Sequence, residues 1–152
     1  MRRAEKAIHD PAEFAAILQA AQVCHLGLVD AGEPYVVPVS FGYADGALYF
    51  HSAPRGRKMD ILRRQSRLCF QLEADCAVIP ATEACGWTAR FRSVIGYGEA
   101  EILTDPEAKR YGLAVIMAHY AGPEPVFSFP DAMVTRTAVV KIAVREWTGK
   151  RG

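Results

Sequence analysis

The first apolar pattern along the chain is helical. Phe14, Ile17, Leu18 and Ala21 recur at three- and four-residue spacing behind Asp10-Pro11, a capping residue followed by proline at the first helical position, with Glu13 in the first turn. From residue 23 the period changes to two. In VCHLGLVD (23–30), Cys24, Leu26 and Leu28 alternate with Val23, His25, Gly27 and Val29, as in a strand. Ala31-Gly32-Glu33-Pro34 is a turn signal, and YVVPVSFGY (35–43) is a second strand with Pro38 in its middle. Proline removes a ladder donor, so that point must be an edge, a bulge or a place where something else approaches the backbone. Ala44-Asp45-Gly46 turns the chain into a third strand, ALYFHSA (47–53). A turn at Pro54–Gly56 leads into a short helix, RKMDILRRQ (57–65), with Met59, Ile61 and Leu62 as its apolar face and Arg63, Arg64 and Arg67 solvated.

RLCFQLEA (67–74) is the fourth strand, and residues 75–86 read as a loop of helical or irregular character. WTARFRSVIGYGEAEIL (87–103) is the longest strand, broken by Gly96 and Gly98 in the way a barrel bends at its corners. Thr104-Asp105-Pro106-Glu107 starts a third helix that runs to about Tyr120. AGPEPVFSFPD (121–131) is an extended connection, and TAVVKIAVREWTGK (137–150) is the last strand, with Val139, Ile142 and Val144 as core. The order α-β-β-β-α-β-β-α-β, with tight turns between the early strands, favours one small antiparallel barrel flanked by helices over a doubly wound sheet. Residues 1–152 form a single domain.

Composition changes this picture little. The chain is 51% apolar and 23% charged, ordinary for a globular domain. Its net charge of +1 gives no reason to expect nucleic acid or an anionic membrane as partner. No apolar stretch approaches the roughly 20 residues of a bilayer span. The N-terminal MRRAEKAIHD has no apolar signal core, so the expected location is cytoplasmic. Cys24, Cys69, Cys76 and Cys85 show no CxxC or matching histidine pair, so they are expected to be free thiols, with no metal site. Cys24 and Cys69 sit in apolar runs, where a thiol behaves as a small hydrophobe.

The chemistry concentrates in LYFHSAPRGRK (48–58). A strand end, a turn, a glycine and a helix start leave backbone N–H groups unpaired at the positive end of a helix. Ser52 adds a hydroxyl, Gly56 a flexible approach, and Arg57 and Lys58 two cations. This is what a phosphate monoester requires, although neither GxxxxGK[ST] nor GxGxxG is present. The bland alternative is a solvated basic helix start.

FHSAPRGRK (50–58) resembles the strand end, turn and Arg-Lys pair that hold the FMN phosphate in flavin-binding split barrels related to pyridoxamine 5'-phosphate oxidase. PYVVPVSFGY resembles the family strand whose backbone lies along the isoalloxazine ring, and ARFRSVIGYGEAEIL the strand that contributes a polar side chain near ring and phosphate. Together with HLGL, the Cys85–Trp87 stretch and the terminal WTGK, these segments are most similar to the 5-nitroimidazole-resistance branch. The chain ends REWTGKRG without the Arg-x-His pair of true pyridoxamine phosphate oxidases, so the resemblance does not carry vitamin B6 oxidation with it.

The resemblance implies a mainly β, six-stranded antiparallel split β-barrel of Greek-key type with flanking helices. It implies a homodimer with a flavin in each cleft between subunits, FMN first, with FAD and then haem as alternatives. It assigns backbone contacts with the ring to Val37, Pro38, Val39 and Ser40, and a polar contact to Arg92 or Ser93. It places His51 beside the flavin as the catalytic group, an imidazole being able to deliver a proton near neutrality. Trp87 and Trp147 would cover the flavin or a subunit seam, or simply pack in the core, and Lys150 would reach the cofactor from the partner. The implied activity is reduction of nitro compounds or other small electrophiles, with NAD(P)H or a reductase as donor. The alternative class is a non-catalytic flavin- or haem-binding protein.

Overall fold

The computed structural model describes residues 4–152; the first three residues, part of the N-terminal stretch read for a targeting signal, lie outside them. After a 3-10 turn at Ala4–Lys6 the elements are β1 (Ala7–Ile8), α1 (Pro11–Ala20), β2 (Cys24–Asp30), β3 (Glu33–Val39), β4 (Phe41–Ala44) and β5 (Ala47–Ser52). They continue with α2 (Arg57–Arg64), β6 (Arg67–Ile79), β7 (Thr88–Ile102), α3 (Pro106–Ala121), α4 (Asp131–Arg136) and β8 (Ala138–Arg151). The capping signals act as read. The Asp10 carboxylate accepts from the Ala12 N–H at 2.9 Å, and that of Asp105 from the Ala108 N–H at 2.8 Å.

The strands pair antiparallel in the order β3-β2-β6-β7-β8-β5-β4, with β1 added beside β8. β3 and β4 stand at opposite ends of this path, yet a single residue, Ser40, joins them. Six inter-strand spacings of about 4.8 Å would put the two edges of a flat sheet roughly 29 Å apart, far beyond the reach of one residue. The sheet is therefore rolled into a barrel whose seam runs through Ser40, which is the split barrel expected.

Six strands were expected and eight are present among the described residues, for two local reasons. The 35–43 stretch breaks at Ser40 into β3 and β4, and the two-residue β1 pairs with Gly149 and Lys150. Pro38 falls on an edge strand, the first of the three settings a mid-strand proline allows. The reading of 75–86 as a loop of helical or irregular character is corrected in its first part: β6 continues to Ile79 after a bulge between Ala74 and Ala77, while residues 80–86 are irregular with a 3-10 turn at Ala84–Gly86. Asp75 takes the left-handed conformation there (φ 57°), which an aspartate tolerates. The irregularity expected at the glycines of β7 is also present, as a register shift between Tyr97 and Gly98 that leaves Arg145 as the extra residue on β8.

The barrel is filled by Leu26, Phe41, Leu48, Phe50, Phe70, Leu72, Val94 and Ile142. α1 closes it near Gly149, where Phe14 stacks on Trp147 with ring centres 5.1 Å apart. Trp147 is thus a packing residue, touching Tyr43 as well. α2 buries Met59, Ile61 and Leu62 toward the opposite end of β7, where the Ala100 N–H donates to the Ser66 carbonyl. α3 lies on the outside against Ala47 and Tyr49. Burial pushes the Cys24 thiol up to about 12, which makes it inert packing as expected.

Candidate functional site

The end of β5 and the start of α2 form the first half of the site. Gly56 precedes α2 with φ 118°, a conformation that glycine takes without strain, and no side chain caps the helix. The first-turn N–H groups therefore face outward with no side-chain acceptor. Lys58 lies over the Phe50 ring with its Nζ 5.2 Å from the centroid. Burial lowers its pKa below the ordinary lysine value, and among the described residues no carboxylate pairs with it. Ser52 is half-buried beside Ala138 at the end of β5.

Arg57 is in a different position. Its Nε donates to Asp30 Oδ2 at 2.8 Å, and its guanidinium lies 4.7 Å over the Tyr35 ring. The other Asp30 oxygen takes Arg64 at 2.5 Å. Arg57 thus shares one carboxylate with Arg64 and its charge is partly compensated, while Lys58 has no carboxylate partner among the described residues. Asp30, Tyr35 and Phe50 were not singled out by sequence; nothing in the spacing ties Asp30 to a residue 27 positions later.

The remaining positions sort by strand alternation. Leu48 and Phe50 point into the barrel, so His51 shares the outer face with Tyr49 and is exposed. Val37 and Val39, opposite Leu26 and Cys24, face inward. Pro38, opposite His25, faces outward and is exposed, as is Ser40 at the seam.

The second half lies at the far end of β7 and β8. Ser93 stands directly opposite Lys150, whose Nζ is 5.5 Å over the Phe91 ring. Both share the outer face with the exposed Ile95 and Tyr97. Arg92 points to the other face, 2.5 Å from Asp75, so the two candidates for the polar contact stand on opposite faces of β7. Trp87 is exposed just before β7.

Within one chain the two halves lie at opposite ends of β8. Ser52 pairs with Ala138 and Ser93 with Lys150, twelve positions further along β8. At about 3.3 Å per residue that is a contour of roughly 40 Å along the strand.

This architecture has counterparts. The family model for pyridoxamine 5'-phosphate oxidase matches residues 10–151. A candidate 5-nitroimidazole antibiotic resistance protein from Bacteroides thetaiotaomicron is 34% identical, with a TM-score of 0.84 over 95% of this chain and 86% of that one. A flavocytochrome from Azotobacter vinelandii is 25% identical, with a TM-score of 0.84 over 100% of this chain and 72% of that one. An FAD- and haem-binding protein from Mycobacterium smegmatis shares the fold at 18% identity, with a TM-score of 0.86 over 97% and 73% of the two chains. No curated protein matches the chain.

Proposed function

The chain belongs to the pyridoxamine 5'-phosphate oxidase family, and from that membership we propose that it binds a flavin, FMN in the first instance, between two copies of itself and acts as a small-molecule oxidoreductase. The observation that carries the reading is Lys58, a half-buried ammonium without a carboxylate partner among the described residues, beside an uncapped helix start. Burying a cation is costly unless an anion joins it, and a phosphate monoester supplies two negative charges and several acceptors at that point.

In this reading the phosphate lies between Lys58 Nζ, the Ser52 hydroxyl and the N–H groups after Gly56, with Arg57 held alongside by Asp30 and Tyr35. Val37, Pro38, Val39 and Ser40 offer the backbone of an edge strand to the flavin ring. Ser93, Lys150 and Trp87 come from the partner subunit, because one chain holds the halves at opposite ends of β8. The outer sheet face, which leaves Val29, Val36, Ile95 and Tyr97 exposed, supports a second copy as its cover. A bound flavin supplies the electron-transfer chemistry. The residues of the chain anchor and orient it, and His51 is placed to deliver a proton to a small electrophile such as a nitro compound. Electrons come from NAD(P)H or a reductase.

The test is the absorption spectrum of the purified protein before and after FMN is added, for wild type and Lys58→Ala. Flavin bands should appear, and the substitution should weaken FMN about ten- to a hundredfold, the loss of a charge-assisted contact of roughly 1.5–3 kcal/mol. A colourless protein that ignores FMN overturns the reading. The flavocytochrome relative favours one second reading, haem, which the same spectrum reports as a Soret band. Turnover with NAD(P)H and a nitroaromatic compound then separates a catalyst from a carrier.

A further inference from the structure

We propose that the cleft between the far end of β7, the last residues of β8 and the bulge of β6 is a separate ligand site, built for an organic phosphate of nucleotide size. The cleft encloses about 580 Å³, and Asp75, Arg90, Phe91, Arg92, Arg151 and Gly152 are among its walls. That volume falls within the range of small-molecule sites, roughly 300–1,000 Å³.

Its charges are arranged against ordinary pairing rules. Arg92 and Arg151 stand directly opposite each other in the β7–β8 register, where like charges destabilise a strand pair. Arg90, two residues along β7, projects to the same face. One carboxylate holds each of the opposed arginines: Asp75 Oδ2 lies 2.5 Å from Arg92, and Glu13 Oε2 lies 2.8 Å from Arg151. Among the described residues Arg90 has no carboxylate partner. Three guanidinium groups against two carboxylates leave one positive charge in excess, while the carboxylates fix the direction of two of the forks.

A planar fork held in place is suited to phosphate oxygens, which it meets through two parallel N–H bonds. The apolar part of the lining, Phe91 and Ala77, gives an organic group a surface to lie on. A multiply charged anion draws on all three cations, whereas a singly charged ion gains little over Asp75 and Glu13. The arginines face away from Ser93 and Lys150, whereas Phe91 shares the face of that pair and lies under the Lys150 Nζ, so the FMN titration of the Arg90 variant is what separates this cleft from the flavin site.

Calorimetric titration of the full-length protein at about 0.15 M salt, with ADP, inorganic pyrophosphate and adenosine as probes, tests the site. ADP and pyrophosphate should bind, and adenosine at least about tenfold more weakly than ADP. Arg90→Ala removes an exposed, unpaired side chain and should weaken ADP about tenfold or more while leaving the FMN titration unchanged. Arg90→Lys, which keeps the charge and loses the fork, should fall between. Arg145→Ala, at an arginine paired with Glu99 elsewhere on β8, should leave ADP binding as it is. Absence of ADP binding, adenosine binding as tightly as ADP, or wild-type ADP affinity in Arg90→Ala overturns the proposal. Loss of FMN together with ADP in Arg90→Ala also overturns it, by giving the cleft to the flavin.

Discussion

Lys58 and Arg57 are neighbours in sequence, and the physics of their surroundings separates them. Asp30, which Arg57 shares with Arg64, compensates Arg57 in part and Tyr35 supports it, so its removal deletes a charge that was already partly balanced. Arg57→Ala should therefore weaken FMN less than Lys58→Ala, by about threefold or under, in parallel fluorescence titrations. An equal loss in both would mean that Asp30 releases Arg57 to the ligand. The buried ammonium also predicts a pH dependence. Burial disfavours its charged form, so in the free protein Lys58 gives up its proton at a lower pH than an exposed lysine. A bound phosphate favours the charged form and raises that pKa again. Between the two values the FMN dissociation constant should rise about tenfold per pH unit, with affinity full below that window and lost above it. Lys58→Arg, which stays charged, should flatten the alkaline limb; an unchanged limb would exclude Lys58 as the titrating group. The pair was legible as a cation cluster from GRK alone. Its asymmetry was not, because it depends on Asp30 and Tyr35, which the barrel rather than the sequence brings alongside.

Among the elements, alternation and punctuation located most strands to within a residue or two, and two features escaped for identifiable reasons. Ala74-Asp75-Cys76 breaks the period of two, so the end of β6 looks like loop; the bulge absorbs the interruption and the pairing resumes at Ala77 with Arg90. Asp131–Arg136 is six residues, too short for a helical period to declare itself. The glycines of β7 were legible as a bend, but their packing role needed the structure. A Cβ on Gly96 would fall 2.8 Å from Cε1 of Phe70 and 2.9 Å from the Glu146 carbonyl oxygen, backbone and core that cannot retreat. Gly96→Ala should cost about 1–3 kcal/mol, read as a lower urea midpoint with an unchanged slope. Gly32→Ala makes the contrast: a Cβ there meets open space, and only the positive φ of 93° resists it, so the loss should stay near 1 kcal/mol. Equal losses would indicate that the Gly96 contact relaxes freely.

At the scale of the whole molecule, the proposed flavin site draws on both ends of the long β8. It carries Ala138 beside Ser52 at one end and Lys150 beside Ser93 at the other, and in the proposed reading a cofactor touching both groups lies between two copies. This arrangement has a consequence that binding by a monomer lacks. Lys58→Ala damages the first half of each site and Lys150→Ala the second, and a dimer of either variant has two damaged sites. A mixed dimer concentrates both lesions in one site and leaves the other whole. Random association of equal amounts of the two variants makes about half the dimers mixed, so about a quarter of all sites should regain wild-type flavin affinity. The measurement is flavin absorbance per protomer after the two variants are co-expressed and passed over gel filtration. Restoration to about that fraction in a dimer-sized peak would place Lys58 and Lys150 at one cofactor on different chains. A dimer with no restoration would remove Lys150 from the site, and a monomer that still binds FMN would remove the partner subunit altogether.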